Sequence, residues 1–180
     1  MSKVIWHVAM SVDGFIAGPD DTMDWISERE DHSAVADDVM SSVGAILGGR
    51  RWYDVATERY DGRAGIYGGA WSGPVFVLTH RPPENPEDDE ITFLTTGLQD
   101  AVAETVAAAG DKDIAIFGAN VAQQCLEAGL IDEIVIHVVP VLLGDGVRLN
   151  TSGGPRRELV RTHLGESGQF TDLRFAVSAR

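Results

Sequence analysis

The sequence predicts a three-layer α/β fold whose sheet is mostly parallel and ends in an antiparallel hairpin. Residues 114–149 carry the prediction, because they read as a buried strand, a Gly-Ala turn, an amphipathic helix and a second strand rich in β-branched residues. Two strands joined through a helix lie parallel, with the helix on one face of their sheet. The apolar runs 159–164 and 170–177 follow one another with no helix between them, which predicts the antiparallel hairpin.

Short apolar runs bounded by turn residues predict the parallel strands. These strands span residues 4–10, 45–47, 74–78, 91–94, 114–117 and 131–139. Apolar residues at helical spacing predict helices over residues 27–42 and from residues 50, 98 and 119, the last ending at Gly129. Thr96 and Gln99 have the spacing of a capping box. The residues after Ser11 are predicted to form an irregular loop, and the glycine-rich residues 58–73 a long mobile loop.

Composition predicts one ordinary globular domain over residues 1–180, with 44% hydrophobic and 23% charged residues. The net charge of −14 argues against nucleic acid and against an anionic membrane as partners. The N-terminal residues lack the apolar core of a signal peptide, and no apolar run is long enough to span a membrane. A cytoplasmic protein is therefore expected.

Several kinds of catalytic site are poorly supported. Cys125 lies on the apolar stripe of a predicted helix, where a packing role is favoured over that of a nucleophile. The five histidines are scattered without the spacing of metal ligands, so no metal site is predicted. No Gly-x-Ser-x-Gly elbow and no phosphate-binding Gly-Lys-Thr/Ser loop occurs. Metal-dependent hydrolysis, acyl transfer and ATP hydrolysis are not indicated.

Three strand ends carry residues that suit a phosphate group. At Gly118 the absence of a side chain lets an anion approach the first N–H groups of a helix. The segment GGRR at 48–51 also leads into a helix, where cations oppose the helix dipole unless they face an anion. A third strand ends in Thr-His-Arg at 79–81. Each site has an alternative, since Gly118 can serve only a tight turn and the basic residues can be solvated on the surface.

Five segments occur in an order that resembles a known superfamily. They are HVAMSVDGFIAG, DWIS, AILGGRRWYD, VFVLTHR and IAIFGANVAQQCLEAGLIDEIVIHVVPVLLGDGVRL. The pattern resembles the dihydrofolate reductases and, more closely, the C-terminal reductase domain of the bifunctional riboflavin-biosynthesis deaminase-reductase and its stand-alone relatives. The resemblance covers nearly the whole chain, and AGLIDEIVIHVVPVLLGDG is its most specific part. It implies a dihydrofolate reductase-like fold and NADPH as the cofactor.

The resemblance also implies which residues hold NADPH. They are Ala9 and Ile16 near the nicotinamide, Gly49, Arg50 and Arg51 at the phosphates, Thr79, His80 and Arg81 near the adenosine 2′-phosphate, and Gly118, Ala119, Asn120 and Val121 at the pyrophosphate. The last three groups coincide with the strand ends at which residue chemistry alone predicts an anion site.

The activity implied is hydride transfer from NADPH to a C=N or C=O carbon of a small heterocyclic or carbonyl substrate. Trp25 is the residue expected to contact the substrate. Asp13 is the first candidate for an acid or a substrate anchor, with a role as a turn residue as the alternative. Glu30 and Asp31 are second candidates, because dihydrofolate reductases have an acid shortly after the corresponding tryptophan. Their alternative role is to stabilise a helix start.

The sequence departs from the riboflavin-pathway enzyme at two places. Phe117 stands where that enzyme has a glutamate, and DVATERYDGR replaces its arginine-bearing segment for the substrate phosphate. The substrate therefore stays open among dihydrofolate, the ribosylaminouracil phosphate and others. A nucleotide-binding sensor without efficient turnover is the alternative function. The edge of the sheet and the apolar segment 138–143 predict a homodimer, as in the riboflavin branch of the family.

Overall fold

The computed structural model describes residues 2–27, 33–86, 88–150 and 156–178. Among these residues, eight strands form one sheet and two more form a small ribbon. The strands are β1 (Val4–Ser11), β2 (Phe15–Ala17), β3 (Val43–Gly49), β4 (Val75–Leu78), β5 (Ile91–Leu94), β6 (Asp113–Phe117), β7 (Glu133–Val139), β8 (Val147–Arg148), β9 (Leu159–Ser167) and β10 (Phe170–Val177). The helices are α1 (Asp24–Ser27), α2 (Ala34–Ser42), α3 (Arg50–Arg59), α4 (Leu98–Ala109) and α5 (Ala119–Glu127), and a 3₁₀ segment covers Gly62–Gly69.

The large sheet has the strand order β5-β4-β3-β6-β1-β7-β10-β9. From β5 to β7 the neighbouring strands are parallel, and β10 and β9 add antiparallel pairs at one edge. The predicted parallel sheet with a C-terminal hairpin is therefore confirmed. The hairpin turn is shorter than predicted, because β9 continues to Ser167. Gly168 then begins the turn with φ 60°, a backbone conformation that suits glycine at the first central position of a two-residue turn.

Apolar side chains alternate along the central strands and fill a core on each face of the sheet. On β1, Val4 and Trp6 belong to one buried cluster and Ile5 belongs to the other. Helices α4 and α5 contribute to the first cluster, and α2 and the 3₁₀ segment contribute to the second. These are the three predicted layers. Cys125 is fully buried in the first cluster, and this burial raises the pKa of its thiol to about 12, as expected of a packing residue.

Two predictions about helix starts are wrong. The helix predicted over residues 27–42 begins only at Ala34, because Ser33 has an extended backbone and caps the helix by accepting a hydrogen bond from Ala36 N at 3.1 Å. The residues Asp24–Ser27 form the separate helix α1. The predicted capping box is also absent, since Gly97 is the N-cap of α4 and gives no side-chain hydrogen bond.

Two predicted loops contain regular structure. Residues 15–17 form β2, which pairs with β8 in the small ribbon. In the segment 58–73, α3 continues to Arg59 and the 3₁₀ segment packs onto the sheet, where Ile66 and Trp71 are buried. Trp71 Nε1 donates a hydrogen bond to the carbonyl oxygen of Val43 at 3.0 Å. Composition indicates a loop because the segment is rich in glycine, although three large side chains, those of Ile66, Tyr67 and Trp71, anchor it. In the described part of the chain, no helix is long and apolar enough to cross a membrane.

Candidate active site

A cleft of about 1430 Å³ opens at the carboxyl ends of the parallel strands. Its wall includes Ala9 of β1, Gly49 of β3, Thr79 after β4, Phe117 of β6 and His137 of β7. Ligands of open α/β sheets bind at this edge of the sheet, outside the strand ends. The topology and the cavity therefore agree on one position for the site.

Two helix N-termini meet in the cleft. β3 and β6 are paired and parallel, so α3 and α5, which follow them directly, begin side by side. A Cβ atom at Gly49 would lie 2.9 Å from Val121 Cγ2, and one at Gly118 would lie 3.2 Å from Trp52 Cβ. Gly118 also has φ 88°, which side chains rarely permit. The first N–H groups of a helix have no partner within the helix and are positively polarised, so two adjacent N-termini suit an anionic ligand.

A third helix N-terminus lies in the same wall. Thr96 and Gly97 at the start of α4 line the cleft, as do Thr79 and His80 after β4. β5, β4 and β3 are consecutive neighbours in the sheet, which places these turns in one row. The start of α4 is not among the residues that the sequence predicts for the site, because its spacing was typical of a helix cap.

Arg50 and Arg51 line the cleft, but each has a carboxylate partner. Arg50 Nε donates to Asp54 Oδ1 at 2.6 Å, and Arg51 binds Asp21 Oδ2 through Nε at 2.8 Å and Nη2 at 2.7 Å. Arg50 also donates through Nη1 to the carbonyl oxygen of Arg81. The argument that these arginines need an external anion is therefore weaker than the sequence suggests. Both pairs are partly exposed, so each stabilises the fold only slightly.

Most of the residues predicted to hold the cofactor lie in the cleft wall. They are Ala9, Ile16, Gly49, Arg50, Arg51, Thr79, His80, Gly118, Ala119, Asn120 and Val121. Arg81 does not line the cleft, since its side chain is exposed and its carbonyl oxygen accepts the bond from Arg50.

The predicted substrate contact Trp25 does not line the cleft either. Its Nε1 donates to the carbonyl oxygen of Thr22 at 3.2 Å, while its neighbours Met23 and Ile26 are part of the wall. The segment thus reaches the cleft through other side chains than the one predicted. Glu30 and Asp31, the second candidates for an acid, lie outside the described residues.

Asp13 fastens a loop and does not line the cleft. Its Oδ1 accepts hydrogen bonds from Ser11 Oγ at 2.7 Å and Leu143 N at 3.1 Å, and its Oδ2 accepts one from Gly144 N at 2.7 Å. These bonds, that from Ser11 first, lower the pKa of Asp13 to about 2. The carboxyl group is therefore ionised at neutral pH and has no proton to give. The structure favours the turn alternative over the predicted acid.

A chain of polar side chains runs from the half-buried Tyr67 and His7 in the cleft wall to the buried His137 and Asp172, and the sequence did not predict it. Tyr67 Oη lies 2.8 Å from His7 Nδ1, His7 Nε2 lies 2.6 Å from His137 Nε2, and His137 Nδ1 lies 2.6 Å from Asp172 Oδ1. The tyrosine and both histidines line the cleft, whereas Asp172 is 0% exposed. Ser33 Oγ also donates to Asp172, at 3.0 Å.

Burial and hydrogen bonding set the charges along this chain. Burial alone would raise the pKa of Asp172, but hydrogen bonds from Ser167 and His137 outweigh it and lower that pKa, so the carboxylate is charged. Burial, and then the neighbouring His137, lowers the pKa of His7 from 6.5 to about 3, so His7 is neutral at pH 7. Burial raises the pKa of Tyr67, which keeps its hydroxyl protonated. The charge of the chain is therefore concentrated at its inner end.

Aromatic rings stand beside the chain in the cleft wall. Phe117 lies edge-on to Trp52 and to Tyr67, with ring centroids 5.4 and 5.7 Å apart. Tyr67 has φ 52°, in the left-handed region that a bulky residue rarely adopts. Such strain persists only where the surrounding packing enforces it, and it is frequent at functional sites.

The sequence contains one weak signal for the polar chain. His7 interrupts the apolar strand VIWHVAMS, and His137 interrupts EIVIHVV. Strands buried on both faces rarely carry a polar residue without a partner. That two histidines so far apart are partners follows only from the pairing of β1 with β7, where His137 lies opposite Ala9, two residues from His7.

Comparison with known proteins identifies the family. Residues 2–172 match the family described as RibD C-terminal domain. The chain belongs to the RibD C-terminal domain family. The chain is 27% identical over 151 residues to the uncharacterized protein YwjB of Bacillus subtilis (strain 168), with 82% of each chain covered. It is 26% identical to the uncharacterized protein YyaP of the same organism, with 80% of this chain and 78% of that one covered.

Solved structures agree with the family match. A Shewanella sp. PV-4 protein, named for riboflavin biosynthesis, has a TM-score of 0.81 and 26% identity, with 98% of this chain and 99% of that chain covered. Acinetobacter baumannii RibD has a TM-score of 0.64 and 20% identity, with 99% of this chain and 58% of that chain covered, a likeness of fold alone. The family and the dihydrofolate reductase-like fold that the sequence motifs predict are therefore confirmed.

Proposed function

We propose that the protein is an NADPH-dependent reductase that transfers hydride to a C=N or C=O carbon of a small heterocyclic or carbonyl substrate. The observation that carries the proposal is the row of three helix N-termini, those of α3, α4 and α5, in the wall of one cleft. Their polarised N–H groups suit a ligand that carries several phosphates. Membership of the RibD C-terminal domain family supports an oxidoreductase of the riboflavin-pathway type.

The described residues fit this cofactor. The backbone at Gly49 and at 118–121 would hold the pyrophosphate, because these glycines leave space that a Cβ atom would fill. Thr79 and His80 would lie beside the 2′-phosphate, with Arg81 as a further cation near that end of the cleft. When bound, NADPH supplies the hydride. The protein supplies orientation and the exclusion of water.

The other half of the cleft suits a flat, weakly polar substrate ring. Ala9 and Ile16 would lie beside the nicotinamide, and Phe117 with its aromatic neighbours would cover the reacting carbon. Aromatic rings bind flat heterocycles by stacking and edge contacts. Dihydrofolate and the ribosylaminouracil phosphate are therefore the first substrates to test, and Glu30 and Asp31 stay predictions for a contact with them.

Nucleotide titration tests the cofactor. Trp52 lies in the cleft wall, so tryptophan fluorescence should report the binding of NADPH and of NADH at low and at high salt. We expect NADPH to bind more tightly than NADH, and its binding to weaken as salt screens the phosphate contacts. Arg50→Ala should weaken NADPH binding about tenfold, by the loss of one charge-assisted hydrogen bond. Equal and weak binding of the two nucleotides would contradict the assignment.

A matched variant separates site chemistry from net charge. Arg156 is exposed and pairs with Glu158, and it does not line the cleft. Arg156→Ala changes the net charge by the same amount as Arg50→Ala. We expect it to leave the affinity for NADPH unchanged.

The second candidate function is a nucleotide-binding sensor without efficient turnover. Phe117 favours it, because it stands where the riboflavin-pathway enzyme has a glutamate and it offers no polar atom to the substrate. NADPH oxidation measured with dihydrofolate and with the ribosylaminouracil phosphate distinguishes the two functions. Turnover with either substrate excludes the sensor. Tight NADPH binding without turnover of either would favour it.

We also propose a homodimer. Along the edge strand β9, Val160 and Leu164 are 57% and 55% exposed, and Leu142 in the segment 138–143 is 72% exposed. An apolar edge strand readily pairs with another strand, so a second copy of the chain is a natural cover. Sedimentation equilibrium should give twice the chain mass of 19.4 kDa. Val160→Glu with Leu164→Glu should give the monomer mass, and a monomeric wild-type protein would refute the proposal.

A further inference from the structure

We propose that Tyr67 is the proton donor of this reductase, and that His7, His137 and Asp172 form the relay that returns a proton to its hydroxyl. The inference rests on the proposed function and concerns the second half of the reduction. Hydride addition to the carbon of a C=N or C=O bond moves the electron pair of that bond to nitrogen or oxygen, and this atom then needs a proton. The Tyr67 side chain lies in the cleft wall, and its hydroxyl is hydrogen bonded to His7 on its inner side.

The inner end of the chain fixes where its protons lie. A carboxylate only accepts hydrogen bonds, so His137 Nδ1 carries a proton toward Asp172 Oδ1. The 2.6 Å contact between His7 Nε2 and His137 Nε2 requires one proton between the two nitrogens. The chain therefore has two forms, which differ by one proton and by the direction of its two outer hydrogen bonds.

In the unloaded form His137 is neutral. His7 Nε2–H then donates to His137 Nε2, and the Tyr67 hydroxyl donates to His7 Nδ1. In the loaded form His137 is doubly protonated and paired with the Asp172 carboxylate. Its Nε2–H donates to His7 Nε2, and His7 Nδ1–H donates to the Tyr67 oxygen. The hydroxyl hydrogen of Tyr67 is then free to point into the cleft, where the substrate would lie.

Proton transfer converts the loaded form into the unloaded form. The Tyr67 O–H bond breaks as the electron pair on the substrate nitrogen or oxygen forms its new bond to hydrogen. The proton on His7 Nδ1 passes to the tyrosine oxygen, and the proton on His137 Nε2 passes to His7 Nε2. One proton leaves the chain in total, no electrons move along it, and the nicotinamide cofactor is the reductant. One proton from water in the cleft reloads the chain after the product leaves.

The arrangement has features that a packing role alone would not need. Buried polar groups cost free energy that apolar side chains of similar volume would avoid. The chain keeps its hydrogen bonds in both proton forms, and it begins at the ligand cleft. Tyr67 is held there in the left-handed backbone region. The hydroxyls of Ser33 and Ser167 donate to Asp172 Oδ2 and hold the carboxylate in place beside His137.

Nitrogen-15 NMR of the histidine rings tests the relay in the ligand-free protein. As the pH falls, we expect His7 to stay neutral and to switch from its Nε2–H to its Nδ1–H tautomer. Among the residues that the structure describes, the charged groups that face this pair are Asp172 and Arg174, and Arg174 is itself paired with carboxylates of α2 and β7. A His7 tautomer that stays the same as the pH falls would overturn the relay. His137→Gln should abolish the switch at His7.

Kinetics of Tyr67→Phe test the donor. The single-turnover rate with NADPH and dihydrofolate, or the ribosylaminouracil phosphate, should fall about 10²- to 10⁴-fold, the usual contribution of a general acid. The affinity for NADPH should not change. Tyr53→Phe is the matched control, since Tyr53 packs against Phe93 with ring centroids 5.1 Å apart and does not line the cleft. It should retain the wild-type rate and the wild-type solvent deuterium isotope effect.

The outcomes separate this inference from the proposed function. If NADPH binds and Tyr67→Phe turns over at the wild-type rate, the reductase stands and the proton donor is overturned. If NADPH does not bind to the wild-type protein, the proposed function fails and the donor role fails with it. The NMR titration would then report separately whether the chain exchanges protons as inferred.

Discussion

The two halves of the cleft are built in different ways. The half proposed to hold the cofactor phosphates, called the phosphate half below, consists of turns between consecutive elements: Gly49 ends β3 where α3 begins, and Gly118 joins β6 to α5. The proton half consists of side chains from the 3₁₀ segment and from β1, β7 and β10. Successive members of that chain are 60, 130 and 35 residues apart in sequence. One half is local backbone, and the other exists only when the sheet has formed.

The difference predicts different sensitivities to mutation. A backbone cradle tolerates most changes of nearby side chains but not an added Cβ atom at its glycines. A side-chain relay tolerates changes of backbone neighbours but not the loss of a single donor or acceptor. Mutations that change cofactor affinity without changing turnover, or the reverse, therefore test best whether the two halves have separate roles.

The largest effect is expected from Asp172→Asn. The amide can donate to His137 Nδ1, which would place the imidazole proton on Nε2 and remove the charge that balances a doubly protonated His137. We expect turnover to fall about 10²- to 10⁴-fold with NADPH affinity unchanged, because a wrong tautomer disables proton transfer. The measurements are the single-turnover rate and the fluorescence titration on the same sample.

A control keeps the anion and removes one of its donors. Ser167→Ala deletes a hydroxyl that donates to Asp172 but leaves the carboxylate and its bond to His137. We expect a much smaller loss of rate than for Asp172→Asn. Equal losses for the two variants would mean that packing around Asp172, and not its charge, governs turnover. The side chains of the proton half would then serve only packing, as the rest of the core does.

The glycine turns of the phosphate half can be located from the sequence far better than the side chains of the proton half. Gly118 and Gly49 each stand between an apolar run and a helical pattern, and such a junction can be recognised from neighbouring residues. His7 and His137 are each a single polar residue in an apolar strand, and their contact depends on which strands pair. The position of Tyr67 is harder still to predict, because five glycines in residues 58–73 indicate a loop although Ile66 and Trp71 anchor the segment.

The second effect, on the phosphate half, is expected from Gly118→Ala. The residue has φ 88°, and its new Cβ would lie 3.2 Å from Trp52 Cβ. Forcing alanine into this backbone conformation costs on the order of 1–3 kcal/mol, so the melting temperature should fall. NADPH affinity should fall about tenfold in addition, because relief of the contact moves the N–H groups of α5.

Gly110→Ala is the control for the backbone cost. Gly110 has φ 65°, lies after α4, and has open space where its Cβ would be. It does not line the cleft. We expect a lower melting temperature with unchanged NADPH affinity. If Gly118→Ala also left the affinity unchanged, the N-terminus of α5 would not be the phosphate site.

The smallest effect is expected from Asp13→Asn, which tests whether turnover depends on a region outside the two halves of the cleft. The folded protein lowers the pKa of Asp13 from 3.8 to about 2. A carboxyl group with a lowered pKa stabilises the fold above its ordinary value, and this contribution is lost as the pH falls from about 4 to about 2. The wild-type protein should therefore melt at a higher temperature than Asp13→Asn at neutral pH, and the difference should close across that range.

The variant shares the other carboxylates of the wild-type protein, including Asp172, so the difference between the two melting curves isolates Asp13. Asp20→Asn changes an exposed residue of the same N-terminal region and should leave the melting temperature at neutral pH unchanged. Turnover of Asp13→Asn should equal that of the wild type at neutral pH, because the carboxylate bonds a loop outside the cleft wall. A loss of turnover as large as that of Tyr67→Phe would mean that Asp13 takes part in the reaction. The proton would then have to enter from the β1 loop and not from the buried chain.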